Sequence, residues 1–372
     1  MTVPPPARIG QRTEEVDTPA LLLDLDVLQT NIGRMQSLAD AAGVDLRPHA
    51  KSHKSADIAR LQIDAGARGV CCQKVSEAEL LAQNGVGDIL VSNQVVGASK
   101  IGRLVQLARR IRLGVCVDDS GNLAEIAAAA RRVGASVEVL VELDVGMGRC
   151  GVDAEKAVPL CQEILRTEGV TFGGLQAYNG SAQHIRSRDG RHEAIEASGV
   201  TVRDVLARLD AADIQCPRIT GAGTGTFEFE AASGIWSELQ CGSYVFMDAD
   251  YARNEDTEGG TTGGFGNSLF VLGGVLSVGQ AGRAVIDAGL KSMSMESGLP
   301  ELIDMPGARY AGASDEHGTL RTGQGNSPAL GDRVRVIPGH CDPTVNLHDW
   351  FVCVRAGVVE DIWPVTARGA VF

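Results

Sequence analysis

Between about residues 20 and 245, one unit recurs along the chain: a short apolar run rich in β-branched residues, a polar turn and a stretch of helical periodicity. Eight of the short runs are predicted strands, at Val44–Ala50, Gly69–Gln73, Asp88–Ser92, Arg112–Val117, Val137–Leu143, Thr171–Tyr178, Pro217–Gly221 and Leu239–Phe246. Helices are predicted between them, for example at Ser55–Ala65, Val75–Asn84, Ser99–Arg109, Asn122–Val133 and Glu155–Arg166. This alternation predicts an α/β fold with a closed (β/α)8 barrel of the TIM type, rather than an open doubly wound sheet.

The pattern changes after about Asp250. Residues 255–267 are rich in Gly and Thr, which is typical of a loop or linker. Dense β patterns without helical stretches follow, at Ser268–Val278, Arg283–Ala288, Arg333–Ile337 and Phe351–Pro364. We therefore expect a barrel domain over residues 20–248 and a mostly-β C-terminal domain over residues 249–372, with residues 1–19 packed on the latter.

Composition excludes several classes of function. The chain has 34 Lys and Arg against 47 Asp and Glu, a formal charge of −13, and this acidic balance argues against nucleic-acid binding. It has no uninterrupted apolar run long enough to span a membrane, and its first eight residues lack the apolar core of a signal peptide. The nine cysteines have no C-x-x-C spacing, so we expect reduced, mostly buried thiols in a cytoplasmic protein.

The segment Arg47-Pro-His-Ala-Lys-Ser-His-Lys contains the end of the first predicted barrel strand. Strand alternation places Arg47, His49 and Lys51 on one face. Lys51 falls at the C-terminal end of the strand, where barrels of this type carry their active sites. A lysine in that position, beside other basic groups, is suited to Schiff-base chemistry. A basic loop with solvated lysines is the alternative.

A glycine-rich segment, Thr220-Gly-Ala-Gly-Thr-Gly-Thr, follows the seventh predicted strand. Its spacing does not fit the dinucleotide motif G-x-G-x-x-G. It fits better a phosphate site of the kind found after strands seven and eight of a barrel, built from Gly223 and Thr224 with Gly242 and Ser243 after strand eight. A plain flexible turn is the alternative.

A third motif, His340-Cys-Asp-Pro-Thr, lies in the predicted β domain. On a strand, His340 and Asp342 project from the same face and can hold one divalent cation through an imidazole and a carboxylate. The mixed nitrogen and oxygen ligands favour Mn, Mg, Co or Zn without choosing among them. A His–Asp hydrogen-bonded pair is the alternative.

Three loop residues follow predicted barrel strands five and six, namely Arg149, Tyr178 and His184. Arginine can meet an anionic oxygen, tyrosine can lie against a ring, and histidine can transfer a proton. Each alone can be a structural loop residue. Their common place at the mouth of the barrel favours a shared site.

Jointly, these motifs resemble the fold-type III pyridoxal-phosphate enzymes of the alanine racemase architecture. Within it they are most similar to the group of D-threonine aldolases, 3-hydroxy-D-aspartate aldolases and D-serine dehydratases. The matching segments are Asp17-Thr-Pro-Ala-Leu, Arg47-Pro-His-Ala-Lys-Ser-His-Lys, Val70-Cys-Cys-Gln-Lys-Val-Ser-Glu-Ala, Gly148-Arg-Cys-Gly, Leu175-Gln-Ala-Tyr, Glu238-Leu-Gln-Cys-Gly-Ser-Tyr and Pro338-Gly-His-Cys-Asp-Pro-Thr.

The resemblance implies a role for each candidate residue. Lys51 carries pyridoxal 5′-phosphate as a Schiff base, and a divalent metal binds His340 and Asp342. The other cofactor contacts are Gln73, Arg149 and Tyr178 around the ring, and Gly223, Thr224, Gly242 and Ser243 at the phosphate. Ala222 departs from the family pattern, which more often has Gly there. A homodimer is also implied.

The implied reaction is retro-aldol cleavage of a D-β-hydroxy-α-amino acid of the D-threonine type to glycine and an aldehyde, with His184 or a metal-bound hydroxide as the base. The D-serine dehydratase branch has His-x-Cys at the metal motif, so Asp342 favours an aldolase. One alternative is a 3-hydroxy-D-aspartate aldolase that gives glycine and glyoxylate. In such an enzyme Arg186 or Arg188 can recognise the side-chain carboxylate, although solvated loop charges are the favoured interpretation of both. Others are a dehydratase of D-serine or D-threo-3-hydroxyaspartate, a racemase with a second base such as Tyr310, and a non-catalytic pyridoxal-phosphate carrier.

Overall fold

The computed structural model of the chain describes residues 3–256, 262–323 and 328–372. Part of the predicted linker, residues 257–261, lies outside this range, as do residues 1 and 2 of the predicted N-terminal segment. The chain forms two compact units. The barrel unit comprises Met35–Lys51, Ile58–Gly242 and Ala370–Phe372, and the β unit comprises Met1–Arg34, Ser52–Asp57 and Ser243–Gly369.

The strands, in chain order, are β1 Ala20–Asp24, β2 Asp45–Leu46, β3 Val70–Cys72, β4 Asp88–Gln94, β5 Arg112–Val117, β6 Val137–Glu142, β7 Val170–Ala177, β8 Ile219–Gly221, β9 Glu238–Leu239, β10 Leu269–Gln280, β11 Arg283–Ile286, β12 Glu301–Leu302, β13 Arg309–Ala313, β14 Gly318–Arg321, β15 Arg333–Ile337, β16 Trp350–Arg355 and β17 Val358–Pro364. The α-helices are α1 Leu25–Ala42, α2 Ala56–Asp64, α3 Val75–Gln83, α4 Ala98–Ala108, α5 Ser120–Val133, α6 Ala154–Arg166, α7 Arg188–Ala211, α8 Phe227–Ala232 and α9 Cys341–Val345. Short 3-10 helices lie at Thr13–Glu15, Ser181–His184, Ser243–Val245, Tyr251–Arg253 and Thr262–Gly264.

The barrel unit is an eight-stranded parallel sheet in the order β2-β9-β8-β7-β6-β5-β4-β3. Backbone hydrogen bonds also join the two ends of this order: the Cys71 N–H donates to Pro48 O at 2.8 Å, and the Ala50 N–H donates to Cys71 O at 2.7 Å. Four apolar side chains from successive strands, Cys71, Leu90, Cys116 and Leu140, form a buried cluster. The predicted barrel is therefore confirmed.

Local sequence signals explain the helix bounds. The carboxylates of Asp119 and Asp153 accept the N–H groups of Asn122 and Lys156, and so cap the first turns of α5 and α6. Gly134 ends α5 in the left-handed region, with φ of 65°. The five helices named from the sequence match α2 to α6 to within two residues at each end.

The β unit is built on a nine-stranded sheet in which β10 pairs antiparallel with β1, β11 and β15. β1 lies between β10 and β16, with Leu22 opposite Phe270 on one side and Val352 on the other. These three side chains belong to one buried apolar cluster. The predicted mostly-β C-terminal domain is confirmed, and the sheet also contains β1 from the start of the chain.

Several predicted elements differ from the structure. Only Asp45–Leu46 of the first predicted strand is regular, since Pro48 has no N–H to donate. The eighth predicted strand ends at Leu239, and the predicted run Phe351–Pro364 is two strands, β16 and β17. β1 was not predicted, and it places Ala20–Asp24 in the β unit rather than in the expected barrel range of 20–248.

The nine cysteines are free thiols, as expected, and most are buried. Within the described ranges, no helix has both the length and the apolarity needed to cross a membrane.

Candidate active site

Lys51 follows the first barrel strand and is half-buried. Its backbone N–H donates to His49 Nδ1 at 3.4 Å. His49 Nε2 lies 2.8 Å from Gln73 Nε2 and 3.1 Å from Ser92 Oγ. The structure thus links the segment of Lys51 to Gln73 through His49, which the sequence analysis had placed beside Lys51 only as a nearby basic group.

Arg149 and Tyr178 are also brought together. The Arg149 guanidinium lies 5.8 Å from the centroid of the Tyr178 ring, a cation–π contact. An Arg149 nitrogen lies 4.0 Å from Glu142 Oε1, and Gln94 Nε2 donates to Glu142 Oε2 at 2.5 Å. Burial raises the pKa of Glu142, although Gln94 and Arg149 favour its charged form. Glu142 was missed, but its place at the C-terminal end of β6 is a signal that could have found it.

The glycine-rich segment forms the loop between β8 and α8. Its glycines are packed so closely against neighbouring residues that a side chain would not fit at their positions. A Cβ built on Gly221 would lie 2.1 Å from Ala177 O, and one built on Gly223 would lie 2.3 Å from Gln183 Oε1. Ala222 has φ of +70°, the left-handed region that favours glycine. A glycine, which the resemblance led us to expect at this position, would adopt this conformation without strain. Thr224 is buried in the same loop.

Gly242 follows β9, and Ser243 begins the 3-10 helix Ser243–Val245. Because β8 and β9 are adjacent parallel strands, the loops after them leave the same end of the barrel. Gly242 belongs to the barrel unit and Ser243 to the β unit. The two glycine-containing segments are thus the pair of loops from which a phosphate site was predicted.

The His340 motif was predicted to lie on a strand. In the structure the chain instead turns at His340 into helix α9. Pro343 suits this helix start, where its missing N–H is not needed. His340 Nε2 still lies 3.9 Å from Asp342 Oδ1, while Nδ1 is hydrogen-bonded to Glu296. Burial alone lowers the pKa of His340, but Asp342 and Glu296 raise it overall.

The donor set at His340 fits a divalent cation held by two protein ligands. Ligand distances to such ions are about 2.0–2.2 Å, so two ligands of one tetrahedral ion lie about 3.3–3.6 Å apart. His340 Nε2 and Asp342 Oδ1, at 3.9 Å, would have to approach each other slightly to bind the same ion. Glu296, which the sequence did not suggest, fixes the imidazole from its other nitrogen, the usual arrangement behind a ligating histidine. Within residues 3–256, 262–323 and 328–372, no group of three or more His, Cys, Asp or Glu side chains is arranged to hold a metal ion.

Asp248 supports the start of α9. Its carboxylate accepts the N–H groups of Cys341 and Tyr251, each at 3.0 Å. Burial raises the pKa of Asp248 to about 6, although both backbone hydrogen bonds favour its charged form. Asp248 was also missed, because it lies 93 residues before Cys341 in the chain.

His184 is the last residue of the 3-10 helix Ser181–His184, which follows β7, and it is exposed. Arg188, the other charged candidate in this region, pairs with Glu228 at 2.8 Å and lies 4.9 Å from the centroid of the Phe229 ring. These contacts hold the Arg188 side chain against other residues of the barrel unit. Its guanidinium therefore has a carboxylate partner, Glu228, when no substrate is bound.

Comparison with known proteins identifies the fold and the family of the chain. Residues 23–250 match the family model of the alanine racemase N-terminal domain. Residues 268–354 match the model of a putative serine dehydratase domain. The crystal structure of D-threonine aldolase from Filomicrobium marinum has a TM-score of 0.96 at 46% identity, covering 99% of this chain and 100% of that one.

Relatives of similar length have named activities. The chain is 48% identical to D-threonine aldolase of Arthrobacter sp over 99% of this chain and 97% of that protein. It is 45% identical to 3-hydroxy-D-aspartate aldolase of Paracoccus denitrificans (strain Pd 1222), over 98% and 95%. Identity falls to 32% for D-threo-3-hydroxyaspartate dehydratase of Delftia sp. (strain HT23), over 88% and 92%. The resemblance deduced from the motifs is thereby confirmed, and the chain belongs to the alanine racemase-like family that includes the D-threonine and 3-hydroxy-D-aspartate aldolases.

Proposed function

We propose that the protein is an aldehyde-lyase that cleaves D-β-hydroxy-α-amino acids of the D-threonine type to glycine and an aldehyde. The proposal rests on the pairing of His340 and Asp342, whose nitrogen and oxygen ligands separate the aldolases from the His-x-Cys dehydratases. The identities of 48% and 45% to two aldolases support it. The small-molecule amino acid substrate follows from the same relatives.

Pyridoxal 5′-phosphate, when bound, draws electrons from the Cα of an attached amino acid. Lys51 would provide the amine that holds it, and Gln73, Arg149 and Tyr178 would surround its ring. The phosphate is bound by backbone N–H groups and hydroxyls of the two loops after β8 and β9, at Gly223, Thr224, Gly242 and Ser243. The glycines of the first loop let its backbone pack directly against Ala177 and Gln183, which fixes the loop that would bind the phosphate.

A divalent cation, when bound, lowers the pKa of a coordinated hydroxyl group. His340 and Asp342 hold it, as Mn, Mg, Co or Zn, and Glu296 orients the imidazole. His184 accepts the proton of the substrate β-hydroxyl, and its exposure lets it return that proton to water.

Lys51→Ala should abolish the visible absorbance of the bound cofactor, whereas the control Lys100→Ala, an exposed lysine on α4, should keep it. His184→Ala should keep the absorbance and lose turnover. Retention of the band by Lys51→Ala, or unchanged kcat in His184→Ala, would remove that residue from its assigned role.

Asp342→Ala should keep the cofactor but lose most activity, together with the response to added metal. The exposed Asp315→Ala is the matched control in the β unit. Wild-type activity that survives a chelator would contradict the metal step.

A 3-hydroxy-D-aspartate aldolase is the second candidate, favoured by the 45% identical relative. A dehydratase would share the cofactor residues, but the related dehydratase is more distant. A racemase is disfavoured since the buried Tyr310 hydroxyl already donates to Ala288 O at 2.7 Å. We expect a cytoplasmic homodimer, in line with the symmetry common among soluble enzymes.

A further inference from the structure

Gln183, the residue before His184, connects two segments of the barrel unit. Its side chain is buried, and Oε1 accepts the N–H of Gly225 at 2.9 Å. Nε2 donates to Thr226 Oγ1 at 2.7 Å and to Asn179 O at 3.2 Å. One amide therefore links the glycine-rich loop to the segment that carries His184.

This link requires the glycines of the loop. A Cβ on Gly223 would lie 2.3 Å from Gln183 Oε1, and a Cβ on Gly225 would lie 2.6 Å from the backbone oxygen of Gln183. Real Cβ atoms do not approach other atoms so closely, so a side chain at either position would displace Gln183. The contact with Gln183 thus requires glycine at both positions.

On the far side of the loop, the chain of hydrogen bonds ends at a buried acid. The Thr226 hydroxyl donates to Glu230 Oε1 at 2.8 Å. Burial raises the pKa of Glu230 to about 8, although the Thr226 hydrogen bond favours its charged form. A neutral Glu230 accepts from Thr226 without placing a negative charge behind a loop that is to bind phosphate.

At the other end, buried side chains hold the segment that carries His184. Ser181 Oγ donates to Asn179 Oδ1 at 2.6 Å, and Asn179 Nδ2 donates to Ser198 Oγ at 3.1 Å. The 3-10 helix Ser181–His184 is only four residues long, so it gains little order from its own backbone. Its orientation therefore depends on the buried side chains of Asn179 and Gln183, together with Arg191, whose Nη1 donates to Ile185 O at 2.9 Å.

We propose that Gln183 is a positioning residue, which couples the glycine-rich loop of residues 221–226 to His184. Binding of the phosphate group stabilises the loop against local opening, and the Gln183 amide extends that stabilisation to the segment 179–185. This inference rests on the proposed function, which assigns the loop to the cofactor phosphate and His184 to proton transfer.

Hydrogen–deuterium exchange of the full chain tests the coupling, with pyridoxal 5′-phosphate as the probe. At about 100 times its dissociation constant, the cofactor should slow exchange in a segment that it orders by up to about 100-fold. The inference predicts slowing in both 221–227 and 179–185. Slowing in 221–227 alone would overturn the coupling and leave the proposed cofactor site intact, whereas slowing in neither would overturn both.

Variants add a second readout. Gln183→Met and Thr226→Val should keep cofactor absorbance, lose the slowing in 179–185, and lower kcat on the order of tenfold to 100-fold at nearly unchanged KM. Thr226→Ser keeps the hydroxyl and should behave as wild type, as should Gln36→Met, which removes a buried amide on α1. Equal loss in Thr226→Ser and Thr226→Val, or in Gln36→Met and Gln183→Met, would refute the role of the hydrogen-bond chain.

Discussion

Replacing Glu230 with glutamine should change how the stability of the protein depends on pH. Glu230 is fully buried, and burial raises its pKa from 4.5 to about 8. The native carboxyl thus keeps its proton to a higher pH than the unfolded one. Its contribution to the free energy of unfolding is fully present below about pH 4.5 and is lost as the pH rises towards 8.

The size of the effect follows from the two pKa values. Within that window the contribution of Glu230 to the free energy of unfolding falls by about 1.4 kcal/mol per pH unit, which is on the order of 3 kcal/mol between about pH 5 and about pH 7. Glu230→Gln keeps the shape and the acceptor for Thr226 but cannot ionise. The stability difference between variant and wild type should therefore grow with pH in favour of the variant.

Urea unfolding of the apoprotein, at one fixed protein concentration, measures this difference at each pH. Glu125→Gln, on the exposed face of α5, is the control and should show no such trend. A difference between Glu230→Gln and wild type that stays constant with pH would refute the neutral state of Glu230. Such a result would also contradict the inference that a neutral Glu230 keeps negative charge away from the loop of residues 221–226.

Two further predictions concern stability. Ala222→Gly should raise the free energy of unfolding by up to about 1 kcal/mol, because φ is +70° at this position. The control Ala130→Gly, within α5, should lower it by about 1 kcal/mol. Both changes are measured by urea titration, and a change of the same sign in the two variants would contradict the backbone argument. Glu238→Ala should lower the free energy of unfolding by about 3–5 kcal/mol, because the buried Arg47 loses one of its two carboxylate partners. The control Asp204→Ala, at an exposed ion pair, should lower it by less than about 1 kcal/mol. A small loss in both variants would show that the buried ion pair is not needed for stability.

The barrel could be predicted because its signal is local. Each strand is a short apolar run followed by a turn and an amphipathic helix, and the capping residues of α5 and α6 lie where the pattern places them. β1 was missed because Ala20–Asp24 runs directly into α1 with no turn signal between them. Its partners in the sheet are β10 and β16, hundreds of residues away, and no local pattern specifies that pairing.

The same limit applies to the site. Lys51, the glycine-rich loop and the His340 motif were found because each is a compact run of chemically informative residues. Glu296 and Asp248 contact that motif from 44 and 93 residues away, and sequence alone gives no reason to connect them. The motif was predicted to lie on a strand, and this was wrong. The start of a helix also keeps the His340 and Asp342 side chains close to each other, so their predicted proximity is still observed.

The central claim is that the chain is a metal-dependent aldolase, and product analysis tests it most directly. The purified protein would be given D-threonine and D-3-hydroxyaspartate in turn, with and without a chelator. We expect glycine together with an aldehyde, which is acetaldehyde from D-threonine and glyoxylate from D-3-hydroxyaspartate. Both products should be lost when the metal is chelated. Ammonia with a 2-oxo acid would instead identify a dehydratase and contradict the role given to Asp342.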